Sequence, residues 1–389
     1  MPDIQNSTRE KMKNILLSSA AIALLAGAAS AEVTWSGDAE IGYNDDYHDG
    51  FYYDAGLYVN LSQELNNGWT ASASLDIDLE STTDSTFSMG TVDSSDWVVS
   101  LSNDMFSLSF GDVDTAYASF SGVSALYDND YFAPFDEADD YSDDEDATAG
   151  VLVTAEYGQF EGALSFVMVD DAEGEGTNDG DLENAQLYLG GDFGVVTAGV
   201  FYDDELMGYE DASLTALTLG TSFGGAEITF TVANIDVDGL LDETGYGIDV
   251  SYPIGPVTLG AYYATYNFDI AGIDDDAYGV SVDYADGPIT IAAYYENIAD
   301  EEEYAIEGAY DFGMGLVVTA GYIDGDDTDD NDFASYIVAE YDLGGGASFL
   351  ASYADATNYD ESGDLDDIDT GVGGYELMYG TTLALSFAF

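Results

Sequence analysis

Ten carboxylates crowd into one short stretch of the chain: Asp128, Asp130, Asp136, Glu137, Asp139, Asp140, Asp143, Asp144, Glu145 and Asp146. Side chains of this type can attract and pass cations, hold a hard divalent ion, or work in acid–base pairs. The partners that other chemistry needs are missing. The chain has 79 Asp and Glu against 3 Lys and Arg, one His and no Cys. All three bases, Arg9, Lys11 and Lys13, precede Asn14, where the only acids are Asp3 and Glu10, so residues 32–389 hold 79 − 2 = 77 acids and no Lys or Arg. Residues 32–389, without Lys or Arg, cannot neutralise phosphates, which excludes nucleic acid as a partner of the mature chain. That span has no Schiff-base lysine and no arginine clamp for an anionic substrate. Without Cys there is no disulfide framework and no thiolate metal site.

Catalysis fares no better. Ser–His chemistry needs an imidazole held against its nucleophile. The only imidazole, His48, sits in a polar loop beside Asp46 and Asp49 and reads as a solvated residue. Paired carboxylates can hydrolyse glycosides, but among so many acids no pair stands out, and no enzyme is expected. Calcium takes six to eight oxygen ligands. Asp324, Asp326, Asp327, Asp329 and Asp330 offer closely spaced carboxylates, yet lack the order of a helix-flanked calcium loop, and a diffuse ion atmosphere fits them as well. No cofactor is required.

High charge with low hydrophobicity would mean disorder. Here 46% of residues are apolar and 14% aromatic, so acids and apolar groups must be segregated by an ordered element. The pattern has period two. Val33, Trp35, Ala39, Ile41 and Tyr43 alternate with Thr34, Ser36, Asp38 and Glu40; Trp69 to Leu79 and Ile248 to Tyr252 repeat it. Alternation puts one set of side chains on each face of a strand. Asn66-Asn67-Gly68, Gly224-Gly225, Asp286-Gly287 and Gly344-Gly345-Gly346 are hairpin-turn chemistry between such runs, as are Pro253 and Pro256. Five runs end in Tyr just before a turn: Tyr157, Tyr252, Tyr284, Tyr310 and Tyr341. Their other ends enter long acidic segments, with six acids from Asp324 to Asp332 and seven from Asp355 to Asp369.

Short turns at one end, long loops at the other and aromatic rings at strand ends predict an all-β fold: a transmembrane antiparallel β-barrel with short periplasmic turns and long extracellular loops. A soluble sandwich would also alternate, but would bury its apolar face against a second sheet. Counting hairpins gives about twenty candidate strands. Sixteen is the expected number, with eighteen or twenty also compatible. Residues 1–31 read as a signal peptide: Lys11 and Lys13, an apolar run from Ile15 to Ala26, then Ala29-Ser30-Ala31 as the cleavage site. Met12 is an alternative start. The mature barrel domain then spans 32–389.

The last strand, Leu383-Ala384-Leu385-Ser386-Phe387-Ala388-Phe389, alternates and ends in Phe, and Phe389 resembles the assembly signal of outer-membrane barrels. Glu32-Val33-Thr34-Trp35-Ser36-Gly37-Asp38-Ala39 is similar to the first strand of the general diffusion porins of alphaproteobacteria. Ala277 to Asp283 and Tyr341 to Ser348 resemble that family's late hairpins. The resemblance implies a sixteen-stranded homotrimer in the outer membrane, in contact with lipid and lipopolysaccharide. It also implies a third loop folded inward as a constriction. By position that loop is 111–149, which makes the ten acids above the candidate eyelet, with Pro134, Phe132 and Phe135 as its anchor. In the family such acids face a basic cluster; this chain has no base to place there.

Opposite the apolar stripe lie Asp38, Glu40, Asp54, Asp76, Asp78 and Glu156, then Glu161, Glu227, Asp249, Asp283, Glu307 and Glu340. If the apolar face meets lipid, these twelve line the lumen, because a slip of one residue would put charge in lipid. The expected function is a water-filled channel for passive diffusion of small hydrophilic solutes and ions, favouring cations. The alternative is a structural or adhesive outer-membrane barrel whose acidic loops bind divalent cations and bridge lipopolysaccharide. A secreted calcium-binding β-roll is a third reading, but its tandem nonapeptide repeat is absent.

Overall fold

The computed structural model describes residues 32–45, 50–65, 67–80, 92–93, 97–123, 147–169, 182–205, 212–237, 241–268, 273–298, 301–325, 333–356, 368–369 and 375–389. The expected leader and cleavage site, His48 and the candidate eyelet acids from Asp128 to Asp146 lie outside these residues. The strands are β1 (Glu32–Asn44), β2 (Gly50–Glu64), β3 (Thr70–Glu80), β4 (Val92–Asp93), β5 (Trp97–Ser102), β6 (Phe106–Gly111), β7 (Ala147–Tyr157) and β8 (Phe160–Val169). They continue with β9 (Leu182–Asp192), β10 (Val196–Asp203), β11 (Ala212–Phe223), β12 (Ala226–Val237), β13 (Leu241–Ile254), β14 (Val257–Phe268), β15 (Ile273–Asp286) and β16 (Ile289–Ile298). The last are β17 (Glu301–Gly313), β18 (Leu316–Gly325), β19 (Phe333–Gly344), β20 (Ala347–Ala356), β21 (Ile368–Asp369), β22 (Glu376–Leu377) and β23 (Gly380–Ala388).

Among the described residues, twenty of these strands form one closed antiparallel meander. Each pairs with its neighbour in sequence, and β23 returns to β1 from Asp38↔Ala388 to Asn44↔Thr382. The short β4 attaches to β3, and β21 pairs only with β22. Closure leaves no unpaired edge, which a sheet in lipid requires. No described helix is long and apolar enough to cross a membrane; the crossing is made by strands.

The strand number corrects the expectation of sixteen. That number allowed some of the twenty alternating runs to be short hairpins inside loops. Instead every such run is paired on both sides, down to the six-residue β5 and β6. With strands about 4.8 Å apart and tilted by about 40°, twenty of them enclose a barrel roughly 40 Å across.

One face of each strand carries exposed apolar side chains, among them Trp35, Ile41, Leu61, Val200, Leu217, Val280 and Ile306. At the turn end this outer face carries Tyr157, Tyr252, Tyr310 and Tyr341, with the edge-on pairs Phe160–Phe193 at 5.7 Å and Tyr310–Phe312 at 4.7 Å. At the loop end it carries the Tyr43–Phe51 pair at 5.3 Å. Aromatic rings at both ends of an apolar band mark the two headgroup levels.

The other face is buried or polar and points inward. Between β6 and β7 the chain turns into the barrel. It forms a 3-10 turn, η1 (Ala116–Ser119), and runs along the inner wall to Val123.

Candidate functional site: the lumen

The third loop is held to the wall by side chains that reach its backbone. The Ala116 N–H donates to Ser165 Oγ at 2.7 Å, the Tyr117 N–H to Gln186 Oε1 at 3.1 Å, and the Val123 N–H to Thr231 Oγ1 at 2.9 Å. Phe120 packs on Phe201 and Tyr188, and Tyr117 meets Phe201 edge-on. Phe201 and Leu214 are fully buried beneath it. Such an anchor satisfies the backbone groups that an irregular segment would otherwise leave unpaired. The described part of this inward segment, residues 112–123, is what these contacts hold. The expected anchor at Phe132, Pro134 and Phe135 lies outside the described residues; Ala116, Tyr117, Phe120 and Val123 do the holding on the part that is described.

Register places the wall carboxylates. Glu40 stands opposite Asp54 and beside Ser386. Asp38 pairs with Gly56, and Asp76 with Tyr58. Glu156 faces Glu161 across the β7–β8 hairpin. Glu227 stands opposite Ser251, Asp249 opposite Tyr262, and Asp283 opposite Ala292. Glu307 pairs with Gly321, and Glu340 with Leu350. These share the inner face with Tyr52, Tyr188, Tyr262 and Tyr336, all buried. The backbone of Asp78 pairs with Gly56; its side chain is outside the described residues.

With no Lys or Arg, the inward carboxylates are met by phenols. The Tyr52 hydroxyl donates to Glu40 Oε1 at 3.0 Å, and Ser386 donates to Glu40 Oε2 at 2.6 Å. Tyr188 donates to Glu161 at 2.7 Å, Tyr262 to Glu296 at 2.9 Å, Tyr336 to Glu307 at 2.6 Å, and Tyr294 to Glu303. A hydrogen bond to a carboxylate is stronger than a neutral one, and a neutral donor leaves the negative charge uncancelled.

Two of these bonds span three strands. Tyr336 on β19 pairs with Gly321 on β18, which pairs with Glu307 on β17. Tyr262 on β14 pairs with Gly279 on β15, which pairs with Glu296 on β16. The ring crosses over the glycine and the phenol lands on the carboxylate beyond. The glycine is needed for that close approach, because a Cβ on Gly321 would lie 2.1 Å from Tyr336 Cζ. Gly42 holds the same relation to Tyr52, at 2.0 Å. Gly321→Val is therefore expected to push Tyr336 off the wall and strip Glu307 of its donor. Crowding of this kind costs about 1–3 kcal/mol. The expected result is a lower temperature for loss of the folded band in detergent gels, together with smaller channel steps.

Sequence reasoning missed these tyrosines, along with Glu296, Glu303, Gln186 and Asp203. The signal was present as doublets: in Tyr52-Tyr53, Tyr262-Tyr263 and Tyr294-Tyr295, one ring of each pair must face inward.

A cavity of about 460 Å³ lies under the third loop, lined by Ser119, Ser121, Glu156, Glu161, Tyr188, Thr197, Thr218 and Thr229 among others. Among the described residues no cluster of three or more His, Asp or Glu is placed to hold a metal ion. Of the calcium candidates only Asp324 is described, and its Oδ2 accepts from Tyr304 and Tyr322 at 2.7 Å each. Asp326, Asp327, Asp329 and Asp330 lie outside the described residues.

Solved structures similar to this chain include porins. A Rhodopseudomonas blastica porin with three substitutions is 18% identical, with 72% of this chain and 98% of that one covered and a TM-score of 0.44. Another porin structure is 17% identical, covering 92% of this chain and all of its own, with a TM-score of 0.42. No curated protein sequence matches the chain. The sequence profile of the Gram-negative porins matches residues 18–297, more than half of the chain. With a closed, aromatic-belted barrel on one side and that match on the other, the chain belongs to the Gram-negative porin family, whose members are outer-membrane channels and not enzymes.

Proposed function

We propose that this porin is a cation-favouring channel for passive diffusion of small hydrophilic solutes and ions. The observation that carries this reading is the lumen wall, where carboxylates are hydrogen-bonded by neutral phenols and no base is present to cancel them. A passage lined by one sign of charge gathers counter-ions and repels co-ions. The acids from Asp128 to Asp146 follow the anchored start of the third loop, and this reading makes them the eyelet. Export by a signal peptide cleaved before Glu32, and assembly as a homotrimer, belong to the same reading. Calcium acts as a competing ion at the acidic loops, not as a cofactor.

The test is conductance of the purified protein in planar bilayers. Uniform steps that grow with KCl concentration are expected. A folded, heat-modifiable barrel that inserts and never conducts would favour the structural, cation-bridging alternative.

A further inference from the structure

The third loop is not the only segment inside the barrel. The connection from β20 to β23 also turns inward at its end. Leu377 is buried in a cluster with Tyr294, Ala305, Ile323, Tyr336 and Val338, which lie on the inner wall from β16 to β19. Tyr375 reaches Glu340 Oε2 at 3.4 Å. Burial beside the charges of Glu340 and Glu307 holds its phenol above the ordinary value, so it stays a neutral donor. The segment is clipped at its far end, where Asn44 Nδ2 donates to the Tyr379 carbonyl at 2.9 Å and to Thr382 Oγ1 at 3.0 Å. The third loop sits on a different stretch of wall, from β8 to β13.

Width gives this arrangement its consequence. A twenty-stranded barrel is roughly 40 Å across between backbones. Wall charges are screened within about 10 Å at 0.1 M salt. The described part of the third loop lies on one stretch of that wall. A second segment, packed on the wall of β16–β19 and beside Glu307 and Glu340, takes up lumen on another side.

We propose that the segment from Tyr375 to Tyr379 is a second constriction element, so that two loops and not one set the size limit and the charge preference of the pore. This rests on the channel reading above.

The chain has no cysteine, so Tyr375→Cys supplies a single thiol for labelling with a cationic methanethiosulfonate. The expected result is labelling of the folded protein, a drop in conductance, and a zero-current potential displaced toward zero. Met314→Cys, in an exposed turn at the other end of the barrel, should label without either change. A second variant, Leu377→Ser, removes the buried anchor and should raise the size limit for neutral polyethylene glycols. The proposal is overturned if Tyr375→Cys cannot be labelled in the folded protein. It is also overturned if it is labelled with conductance unchanged, or if Leu377→Ser folds and leaves the size limit unchanged. Absence of any conductance in the unmodified protein would instead sink the channel reading, and this proposal with it.

Discussion

Deleting Phe389 should lower the amount of folded barrel in the outer membrane severalfold and switch on the envelope stress response. The seam between β23 and β1 ends on this residue. The Gly37 N–H donates to the Phe389 carbonyl at 2.8 Å, and the Phe389 N–H donates to the Gly37 carbonyl at 2.9 Å. Gly37 has no Cβ, and one built there would lie 3.0 Å from the Phe389 ring, so the ring rests directly on the first strand. Deletion removes both backbone bonds at the one place where the barrel is joined by no turn. Unpaired backbone groups at membrane depth cost several kcal/mol each. Phe389→Ala keeps the backbone and loses the ring, so it should fall between deletion and the unmodified chain. Heat-modifiable migration and a stress reporter read both variants. Unchanged assembly on deletion would mean that neither the seam nor a terminal signal depends on this residue.

Neutralising carboxylates should weaken cation preference unequally, according to how far each group stands from the conducting path. Screening lengths of about 10 Å at 0.1 M and about 3 Å at 1 M are short against a lumen this wide. Wall groups such as Glu227, Asp249 and Asp283 act mainly on ions passing near the wall. On the channel reading proposed above, the third-loop acids form the eyelet and act on the whole passage. Replacing Asp136, Glu137, Asp139 and Asp140 with Asn or Gln is therefore expected to reduce the K⁺ over Cl⁻ preference severalfold at 0.1 M, and to blunt block by calcium. Replacing Glu227, Asp249 and Asp283 should also reduce it, but by less. Permeability ratios from bilayer recordings measure both sets. An equal effect of the two sets would show that the third-loop acids have no special place in the path.

Much of the fold was legible because a strand in a lipid-facing barrel has a strict rule: apolar out, polar in, with a period of two. Trp35, Ile41 and Tyr43 against Asp38 and Glu40 already gave both faces of β1. Turn chemistry such as Gly344-Gly345-Gly346 marked which ends were short. The strand number was less legible, because alternation cannot tell a hairpin in the wall from one inside a loop; only pairing on both sides separates them.

The lumen was legible as charge and not as structure. Acids opposite the apolar stripe could be found from parity alone. Their donors could not, because a bond such as Tyr336 to Glu307 joins residues 29 apart and depends on Gly321 lying between them on a third strand. The inward turn at Leu377 was hidden for a similar reason. Its burial comes from wall residues brought together by closure, and nothing local in an acidic, polar loop announces it.

The central claim is an open, water-filled passage lined by uncompensated negative charge. Its most direct test is the zero-current potential of the purified protein across a tenfold KCl gradient in planar bilayers. At 0.01 M on the dilute side, where the screening length is about 30 Å, the dilute side should become positive and approach the cation limit of about 59 mV. The potential should shrink when both solutions are made tenfold more concentrated. A value near zero at low salt, or one with the dilute side negative, would contradict the claim.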